Sequence, residues 1–462
     1  MFRSSLHYLK LNVSCLQGAT SISKLQALKC RNITTSLIKH GEFNAKFLIV
    51  GGGSGGITVA STLTKKFGAG TVWIVEPSEY HYYRSLWPMI SCGIKVSSRS
   101  QLPTRKVLPY GCEWLKTAAA RFDPDNNCIF TEDGDKVKYE YLVIAVGVQP
   151  QFDQITGLVE AVANGSATSI YDTDDVAKTY ERLQEFRSGE GLFACSRSTV
   201  NCDTTTLSMA YLVDDYLRQS GTRTKVQIDL FTPFEQLFLV DKYSKRLDEI
   251  CQQKNVLVHK GYNLLEVDDD RKLAFFRKED NESTDKLEMK FNFLYVAPPL
   301  APPKVLGYSK LADMKGMLNV DAQTLIHREF GNVFGIGDCI GCGVGRSLGA
   351  VGAQAKALQK NIESILLGLQ PKATYSGYAS CGIFTGSKKL LFAEYDYNFE
   401  PLETFPFNQS KERKSLFLLQ RDYFPELYWN GLVKGKWDDP IRWRKFLKIR
   451  DKFLERRKKR PR

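Results

Sequence analysis

The chain has 462 residues, of which 43% are hydrophobic and 25% charged, with a formal net charge of +13 at pH 7. This length exceeds a single hydrophobic core, so two or three domains are expected, and the composition is that of a globular protein. No run of about eighteen apolar residues occurs, which argues against a membrane-spanning helix.

The first forty residues differ from the rest of the chain. They are rich in Lys, Arg and Ser, contain no acidic residue before Glu42, and have scattered apolar residues instead of a continuous apolar core. This composition is typical of a mitochondrial presequence. We therefore predict that residues 1–44 are a targeting segment outside the fold.

A βαβ unit is predicted next. An apolar strand at 47–50 is followed by a glycine loop at 51–56, a helix from Ile57 and a second apolar strand at 72–75 that ends on Glu76. The loop fits the pattern G-x-G-x-x-G, which binds the pyrophosphate of a dinucleotide at the start of a helix. The alternative is a glycine-rich turn that only allows tight packing.

Each glycine of the pattern has a physical role. Gly51 is expected to make the tight turn, Gly53 to let the pyrophosphate touch the backbone, and Gly56 to let helix and strand pack closely. The acid at the end of the second strand is placed to accept the ribose hydroxyls. The predicted binding residues in this unit are Gly51, Gly53, Ser54, Gly55, Gly56 and Glu76.

Two later segments indicate which dinucleotide binds. One apolar strand, 141–145, closes on Gly147, and another, 332–336, stops at Gly337-Asp338 before a helix predicted at 349–358. In two-part flavin proteins such an aspartate reaches the ribityl chain, and the helix N-terminus faces the pyrimidine side of the ring. We therefore predict FAD, bound by residues 45–163 and 301–390 together, although an isolated Gly-Asp also fits an ordinary turn.

Residues 164–300 form a second predicted α/β unit. Strands are predicted at 191–195 and 225–231, and helices at 203–218 and 243–254. No second glycine loop follows the first of these strands, so NAD(P)H would lack its close backbone contact. A smaller electron donor is expected, with cysteine thiols as its entry point.

Two of the eleven cysteines occupy suggestive positions. Cys202 immediately precedes a predicted helix, whose unpaired N–H groups would stabilise a thiolate. Cys381 is predicted in a loop beyond the second flavin segment. The odd number of cysteines argues against a complete disulfide framework, and each of the two also fits a structural thiol when considered alone.

The chain resembles the mitochondrial sulfide:quinone oxidoreductases from about Lys46 to Lys445. The resemblance is carried by LIVGGGSGGIT with IVEPSE, by Tyr141–Gly147, by Gly331–Cys339, by YSGYASCGIFTG at 375–386 and by EYDYNFEPLETFPFNQSKER at 394–413. It implies an α/β fold with tandem Rossmann-like domains of the FAD-dependent pyridine nucleotide-disulfide oxidoreductase type, plus a C-terminal membrane-surface region.

The resemblance also implies a reaction. A cysteine pair oxidises sulfide, electrons pass through FAD to ubiquinone, and sulfur leaves as a persulfide to a small acceptor such as sulfite or glutathione. The implied location is the matrix side of the mitochondrial inner membrane. The family's redox cysteines fall on Cys202 and Cys381, the expected flavin-side residues include Arg84, Ala119, Gly147, Asp338 and Arg346, and Lys411 is expected on the quinone side.

The sequence departs from the family pattern near the first cysteine. Asp203 follows it, and its charge would raise the thiolate pKa; Ser208 replaces the family lysine; and Arg84-Ser85 replaces the usual Gln-Pro. Two alternatives therefore stay open: a diverged FAD-dependent oxidoreductase with another donor, and a catalytically weak FAD-binding paralogue.

A Cys-x-x-Cys pair, Cys339 and Cys342, can be a redox dithiol or half of a zinc site. No second pair or nearby histidine completes a metal site, so no metal is expected. Cys195 is a further candidate for an auxiliary thiol.

The C-terminal region, 391–462, is aromatic from 416 to 443 and strongly basic at its end. Basic amphipathic aromatic helices bind the interface of anionic membranes, so membrane-surface association with quinone access is predicted. The alternative is that these helices pack on the protein's own body. Nucleic acid is not an expected partner because no nucleic-acid fold accompanies the basic run, and homo-oligomerisation stays open.

Overall fold

The computed structural model describes residues 41–197, 204–279, 286–343, 346–437, 439–441 and 443–447. Residues 1–40 of the predicted targeting segment lie outside this range, as do Cys202 and Asp203. The first strand already begins at Glu42, within the last residues assigned to that segment.

Strands and helices alternate through most of the described chain. In chain order the strands are β1 Glu42–Val50, β2 Val72–Val75, β3 Tyr80–Tyr82, β4 Gln101–Pro103, β5 Glu113–Leu115, β6 Ala119–Asp123, β7 Cys128–Thr131, β8 Lys136–Ile144, β9 Gln149–Pro150, β10 Ala167–Thr168, β11 Gly189–Cys195, β12 Val226–Thr232, β13 Val256–Lys260, β14 Tyr262–Asp268, β15 Leu273–Lys278, β16 Leu287–Lys290, β17 Phe293–Ala297, β18 Leu300–Ala301, β19 Val333–Gly335, β20 Ala379–Gly386 and β21 Lys389–Tyr395. The α-helices are α1 Ser54–Phe67, α2 Trp87–Ile90, α3 Thr104–Val107, α4 Leu158–Ala163, α5 Thr173–Glu185, α6 Thr204–Gln219, α7 Asp241–Lys254, α8 Lys304–Gly307, α9 Leu348–Leu366, α10 Lys414–Leu418 and α11 Phe424–Leu427.

The first sheet is assembled from distant parts of the chain. β5, β2, β1, β8, β7 and β6 lie in that order, and β19 joins the sheet by pairing with β8. β1 is parallel to both β2 and β8, and β19 is parallel to β8. The carboxyl-terminal halves of β1 and β8, residues 47–50 and 142–144, are continuous buried apolar runs, which is typical of parallel strands covered on both faces. Their carboxyl ends present the glycine loop and the Gly337-Asp338 turn at one edge.

The second sheet is parallel, with strand order β10-β17-β11-β12-β13. Helix α6 follows β11, and α7 follows β12, as in a doubly wound fold. The three-stranded antiparallel sheet β14-β15-β16 is a separate small layer. The first sheet is mixed, since β6, β7 and β8 pair antiparallel, and the second is parallel. The two sheets in tandem confirm the predicted α/β architecture.

The hairpin β20–β21 corrects one prediction. Cys381 was predicted in a loop, but it lies inside β20, where it pairs with Ala393 of β21. The alternation of residues in this segment is short and interrupted by glycine, so the strand becomes evident only from its antiparallel partner.

The C-terminal helical run, residues 414–437, packs on the first domain. Leu416, Phe417, Tyr428 and Leu432 are buried, and Ser61 of α1 donates a hydrogen bond to the Val433 carbonyl at 2.6 Å. The inner face of this run therefore packs on the protein's own body, which was the alternative to membrane association in the sequence analysis. None of the described helices is long and apolar enough to cross a membrane.

Candidate flavin and thiol site

The glycine loop has the geometry that a pyrophosphate requires. Gly51 adopts a left-handed φ of +103°, and a Cβ at Gly56 would lie 1.9 Å from the Gly51 carbonyl oxygen. A Cβ at Gly53, in contrast, would meet no atom within 4 Å. Gly51 and Gly56 therefore shape the turn. Gly53 leaves open space beside the start of α1, where N–H groups bind phosphate.

Glu76 holds the loop from the end of β2. Its Oε2 accepts the Gly52 N–H at 2.6 Å, and its Oε1 accepts the Ser78 N–H at 2.7 Å. Burial raises the pKa of Glu76, while these hydrogen bonds and the positive charge of Arg84 oppose that shift. The carboxylate keeps free lone pairs in this arrangement, so it can also accept ribose hydroxyls.

The second flavin segment meets the first at the glycine loop. A Cβ on Gly55 would lie 3.2 Å from the Ile336 side chain, directly before Gly337, whose φ is +83°. Burial raises the pKa of Asp338, and the charges of Arg346 and Arg84 oppose this shift. The structure thus brings Asp338, Arg346 and Arg84 into one electrostatic neighbourhood.

Arg346 supplies an unmatched donor in this neighbourhood. Its Nη2 contacts Met317 Sδ at 3.7 Å, and its buried Nη1 has no hydrogen-bond partner among the described residues. A buried guanidinium donor without a partner is costly, and an anionic or carbonyl-rich cofactor would satisfy it. The open space at Gly53 and the donor on Arg346 both fit a dinucleotide flavin.

Two predicted residues have less informative positions. Ala119 is buried at the start of β6, where it pairs with Thr131 of β7. Lys411 is exposed in the connection between β21 and α10. Gly147 follows β8 with a φ of +65°, so it turns the chain at the edge that carries the site.

Cys381 lies against the first turn of α6. Its Sγ is 2.8 Å from the buried Thr204 Oγ1. Thr204 is two residues after Cys202 in the sequence, although Cys202 itself lies outside the described residues. Cys381 therefore lies at the start of α6, the helix that the sequence analysis predicted to follow Cys202.

The same strand also touches the start of α9. Ser347 caps this helix by accepting the Ala350 N–H at 3.1 Å, and its Oγ also accepts the N–H of Ser380 at 3.1 Å. Ser380 precedes Cys381. Cys381 thus lies on β20, which contacts both the start of α6 in the second domain and the start of α9, the helix predicted to face the flavin.

Ser208 has a structural role at this junction. Its Oγ accepts the Phe384 N–H of β20 at 3.2 Å and is buried. The residue that replaces the family lysine therefore fastens α6 to the strand that carries Cys381.

The other candidate thiols are in apolar surroundings. Cys339 is fully buried against the carbonyls of Ile144 and Ile336, and burial raises the pKa of its thiol to about 12. A thiol with this pKa is protonated at neutral pH, which disfavours the redox interpretation of the Cys-x-x-Cys pair. Cys195 ends β11 and lines a cavity of about 310 Å³. Among the described residues, no group of three metal-ligating side chains comes together.

The comparisons with known proteins agree with this geometry. Residues 45–365 match the pyridine nucleotide-disulphide oxidoreductase family. The mitochondrial sulfide:quinone oxidoreductase of Mus musculus is 39% identical over 402 residues, which cover 87% of this chain and 89% of the mouse protein. The corresponding protein of Dictyostelium discoideum is 37% identical over 91% of each chain.

The chain belongs to the mitochondrial sulfide:quinone oxidoreductase family. A solved structure of the sulfide:quinone oxidoreductase from Aquifex aeolicus has the same fold, with a TM-score of 0.75 at 19% identity over 88% of this chain and 95% of that one. The cofactor of the sulfide:quinone oxidoreductase family is FAD, and the glycine loop, Asp338 and Arg346 are suited to hold it.

Some residues near the flavin loop were not predicted as site residues. His81, Tyr83 and Tyr428 form an aromatic cluster beside the glycine loop, with ring centroids of Tyr83 and Tyr428 4.6 Å apart. Thr204 and Ser347 likewise had no sequence signal of their own. Their partners are far away along the chain, so no local pattern indicates them.

Proposed function

We propose that this chain oxidises hydrogen sulfide through Cys202 and Cys381 and passes the electrons through FAD to ubiquinone. The observation that carries the proposal is the position of Cys381 Sγ, 2.8 Å from Thr204 Oγ1 at the start of α6. Membership of the sulfide:quinone oxidoreductase family supports the substrates, since the relatives are named for that activity.

The thiol chemistry is an exchange between sulfur atoms. Hydrosulfide attacks the oxidised cysteine pair, its sulfur bonds to one cysteine, the S–S bond breaks, and the other cysteine leaves as a thiolate. A small acceptor such as sulfite or glutathione then takes the outer sulfur as a persulfide or its equivalent. Both cysteines are left reduced, and re-forming their bond releases two electrons.

FAD, when bound, supplies the two-electron acceptor for that step and the relay to quinone. The protein's part is to hold the thiols and to stabilise their anionic forms. The N-terminus of α6, beside Cys381, is the positive end of the helix dipole, which favours a thiolate there. Arg346 would bind the anionic side of the cofactor through its Nη1, which is buried without a hydrogen-bond partner among the described residues.

Anaerobic titration with sulfide tests the proposal. Sulfide is expected to bleach the flavin absorbance of the purified protein, and a short-chain ubiquinone should restore it without oxygen. NADH and NADPH serve as comparison donors. Bleaching by another donor but not by sulfide would support a diverged oxidoreductase. A protein that retains FAD and responds to no donor would support the catalytically weak paralogue.

We propose further that the protein works on the matrix side of the mitochondrial inner membrane, with the C-terminal region at the lipid surface. The outer side of this region exposes apolar side chains, while its inner side is packed on the body. The exposed residues are Leu418, Tyr423, Ile441, Trp443 and Phe446. Large apolar side chains in such a position can enter the membrane interface and bring the quinone path to the lipid.

Replacing both Trp443 and Phe446 with serine is expected to weaken binding to anionic vesicles by at least about a hundredfold, because each aromatic side chain contributes roughly 1.5–3 kcal/mol when fully buried. Vesicle co-sedimentation measures the effect. Tyr110→Ser with Met314→Ser is a matched control, since both residues are highly exposed but lie outside the C-terminal region. Equal loss in the control, or unchanged binding of the first variant, would assign the surface to another role.

A further inference from the structure

A continuous hydrogen-bonded chain joins the C-terminal helical run to the glycine loop. Tyr428 OH lies 2.7 Å from Ser54 Oγ and 2.5 Å from His81 Nε2, and His81 Nδ1 lies 2.9 Å from the Gly52 carbonyl oxygen. Tyr428 and Ser54 are 374 residues apart in the sequence. Both His81 and Tyr428 are buried.

The direction of each hydrogen bond follows from the chemistry of the partners. The Gly52 carbonyl can only accept, so His81 Nδ1 carries the proton and donates it. The neutral ring then accepts from Tyr428 at Nε2, and the Tyr428 oxygen accepts from the Ser54 hydroxyl. Burial, with a contribution from the Arg84 charge, lowers the pKa of His81 to about 4, so the ring is neutral at physiological pH.

These hydrogen bonds, together with Glu76, hold the Gly52 residue of the glycine loop at both its N–H and its carbonyl. Glu76 accepts the Gly52 N–H at 2.6 Å, and His81 donates to the Gly52 carbonyl. The next residue is Gly53, beside the open space for the pyrophosphate. The orientation of the loop backbone where the cofactor would touch it therefore depends on His81, and through His81 on Tyr428.

Aromatic packing holds the donors and acceptors in place. The Tyr428 ring is 4.6 Å from Tyr83, and Trp429 lies 5.8 Å from the His81 ring, edge to face. The charged groups near the imidazole are Arg84 and, across the Gly52 peptide, the carboxylate of Glu76; Tyr83 and Tyr428 are the neighbouring phenols.

We propose that His81 and Tyr428 are positioning residues for the dinucleotide loop, and that the C-terminal helical run thereby governs retention of FAD. The coupling is reciprocal: if docking of Tyr428 favours FAD binding, bound FAD favours docking of the run to the same extent. The inference concerns FAD alone and does not depend on the identity of the electron donor.

Tyr428→Phe tests the proposal because it removes one hydroxyl and keeps the ring. The loss leaves Ser54 and His81 without their shared partner, and we expect FAD to bind about tenfold more weakly or worse. Fluorescence of released flavin measures the dissociation constant. Tyr423→Phe is the control, since Tyr423 is in the same run but half exposed. Retention of FAD equal to that of the unaltered protein would overturn the proposal.

A double-mutant cycle distinguishes coupling from general damage. Ser54→Ala and Tyr428→Phe remove the two ends of one hydrogen bond, so the effect of both together on FAD affinity should be clearly smaller than the product of the single effects. Effects that simply multiply would show that the two residues act independently. Circular dichroism of each variant establishes that the fold is retained.

Dependence on pH gives a readout that packing alone would not produce. The folded protein resists protonation of His81 until about pH 4, whereas the unfolded chain takes up a proton near 6.5. The stability contribution of the neutral ring is therefore present above pH 6.5 and is lost as the pH falls toward 4. Thermal stability should fall with pH in this window, and FAD should be released as the pH approaches 4, where the folded protein protonates the ring. His81→Asn, which does not titrate, should flatten these parts of both profiles. An unchanged profile in this variant would contradict the assignment.

Limited proteolysis checks the reciprocal effect. Removal of FAD should speed cleavage within residues 414–437 relative to cleavage elsewhere, and re-addition of FAD should reverse the change. The same cleavage rate with and without FAD would refute the coupling, whatever the outcome of sulfide titration.

Discussion

Gly53→Val is expected to yield a folded protein with no flavin absorbance. A Cβ at this position meets no atom within 4 Å, so the branched side chain fits the protein without its cofactor. It would occupy the space where the pyrophosphate touches the backbone, and a phosphate cannot move away without losing the N–H groups of α1. Absorbance at the flavin bands and circular dichroism together measure the result.

Two further glycine variants make this experiment specific. Gly331→Val serves as the control, because that glycine also has open space around it but lies in the connection before β19. Gly56→Ala should instead damage the fold, since its Cβ would lie 1.9 Å from the Gly51 carbonyl oxygen. A full flavin spectrum in Gly53→Val would mean that the cofactor approaches the loop elsewhere.

Cys381→Ser is expected to abolish sulfide-dependent flavin reduction while FAD stays bound. The serine hydroxyl can keep the contact with Thr204 Oγ1, which is 2.8 Å from the sulfur, so β20 should not be disturbed. Oxygen cannot form the sulfur–sulfur bond that the exchange requires, so the electrons of sulfide have no route to the cofactor. Stopped-flow absorbance under anaerobic conditions measures the reduction rate.

Cys112→Ser is the matched control for this experiment. Its thiol is partly exposed and contacts the Glu113 carbonyl at 3.6 Å. It lies in the connection to β5, an edge strand of the first sheet, whereas α6 follows β11 of the second sheet. Unaltered kinetics in this variant would show that general loss of a thiol is harmless. Rapid reduction of Cys381→Ser by sulfide would remove Cys381 from the mechanism and with it the proposed pair.

The elements that carry the predicted flavin residues were predictable because their signals are local. Gly51, Gly53, Gly56 and Glu76 occupy fixed spacings within one βαβ unit, and the structure places β2 at the predicted residues, Val72–Val75. The predicted helix at 349–358 is also present but continues to Leu366, because no glycine or proline interrupts the sequence beyond the predicted end.

The contacts around the thiol were not predictable in the same way. The strand that carries Cys381 depends on its pairing with β21, and the position of Ser208 depends on where α6 crosses that strand. His81 and Tyr428 meet across 347 residues of sequence. A single sequence carries no periodicity or spacing for such contacts, since they depend on how domains pack.

The pairing of β19 with β8 has a consequence for how the chain acquires its structure. Residues 142–144 pair with residues 333–335, so the whole second domain separates these two neighbouring strands along the sequence. Closing so long a loop is slow, and until it closes the apolar edge of β8 stays unpaired. A newly made or newly imported chain would therefore depend on chaperones during this interval, and a truncated chain ending before β19 should aggregate instead of taking up cofactor.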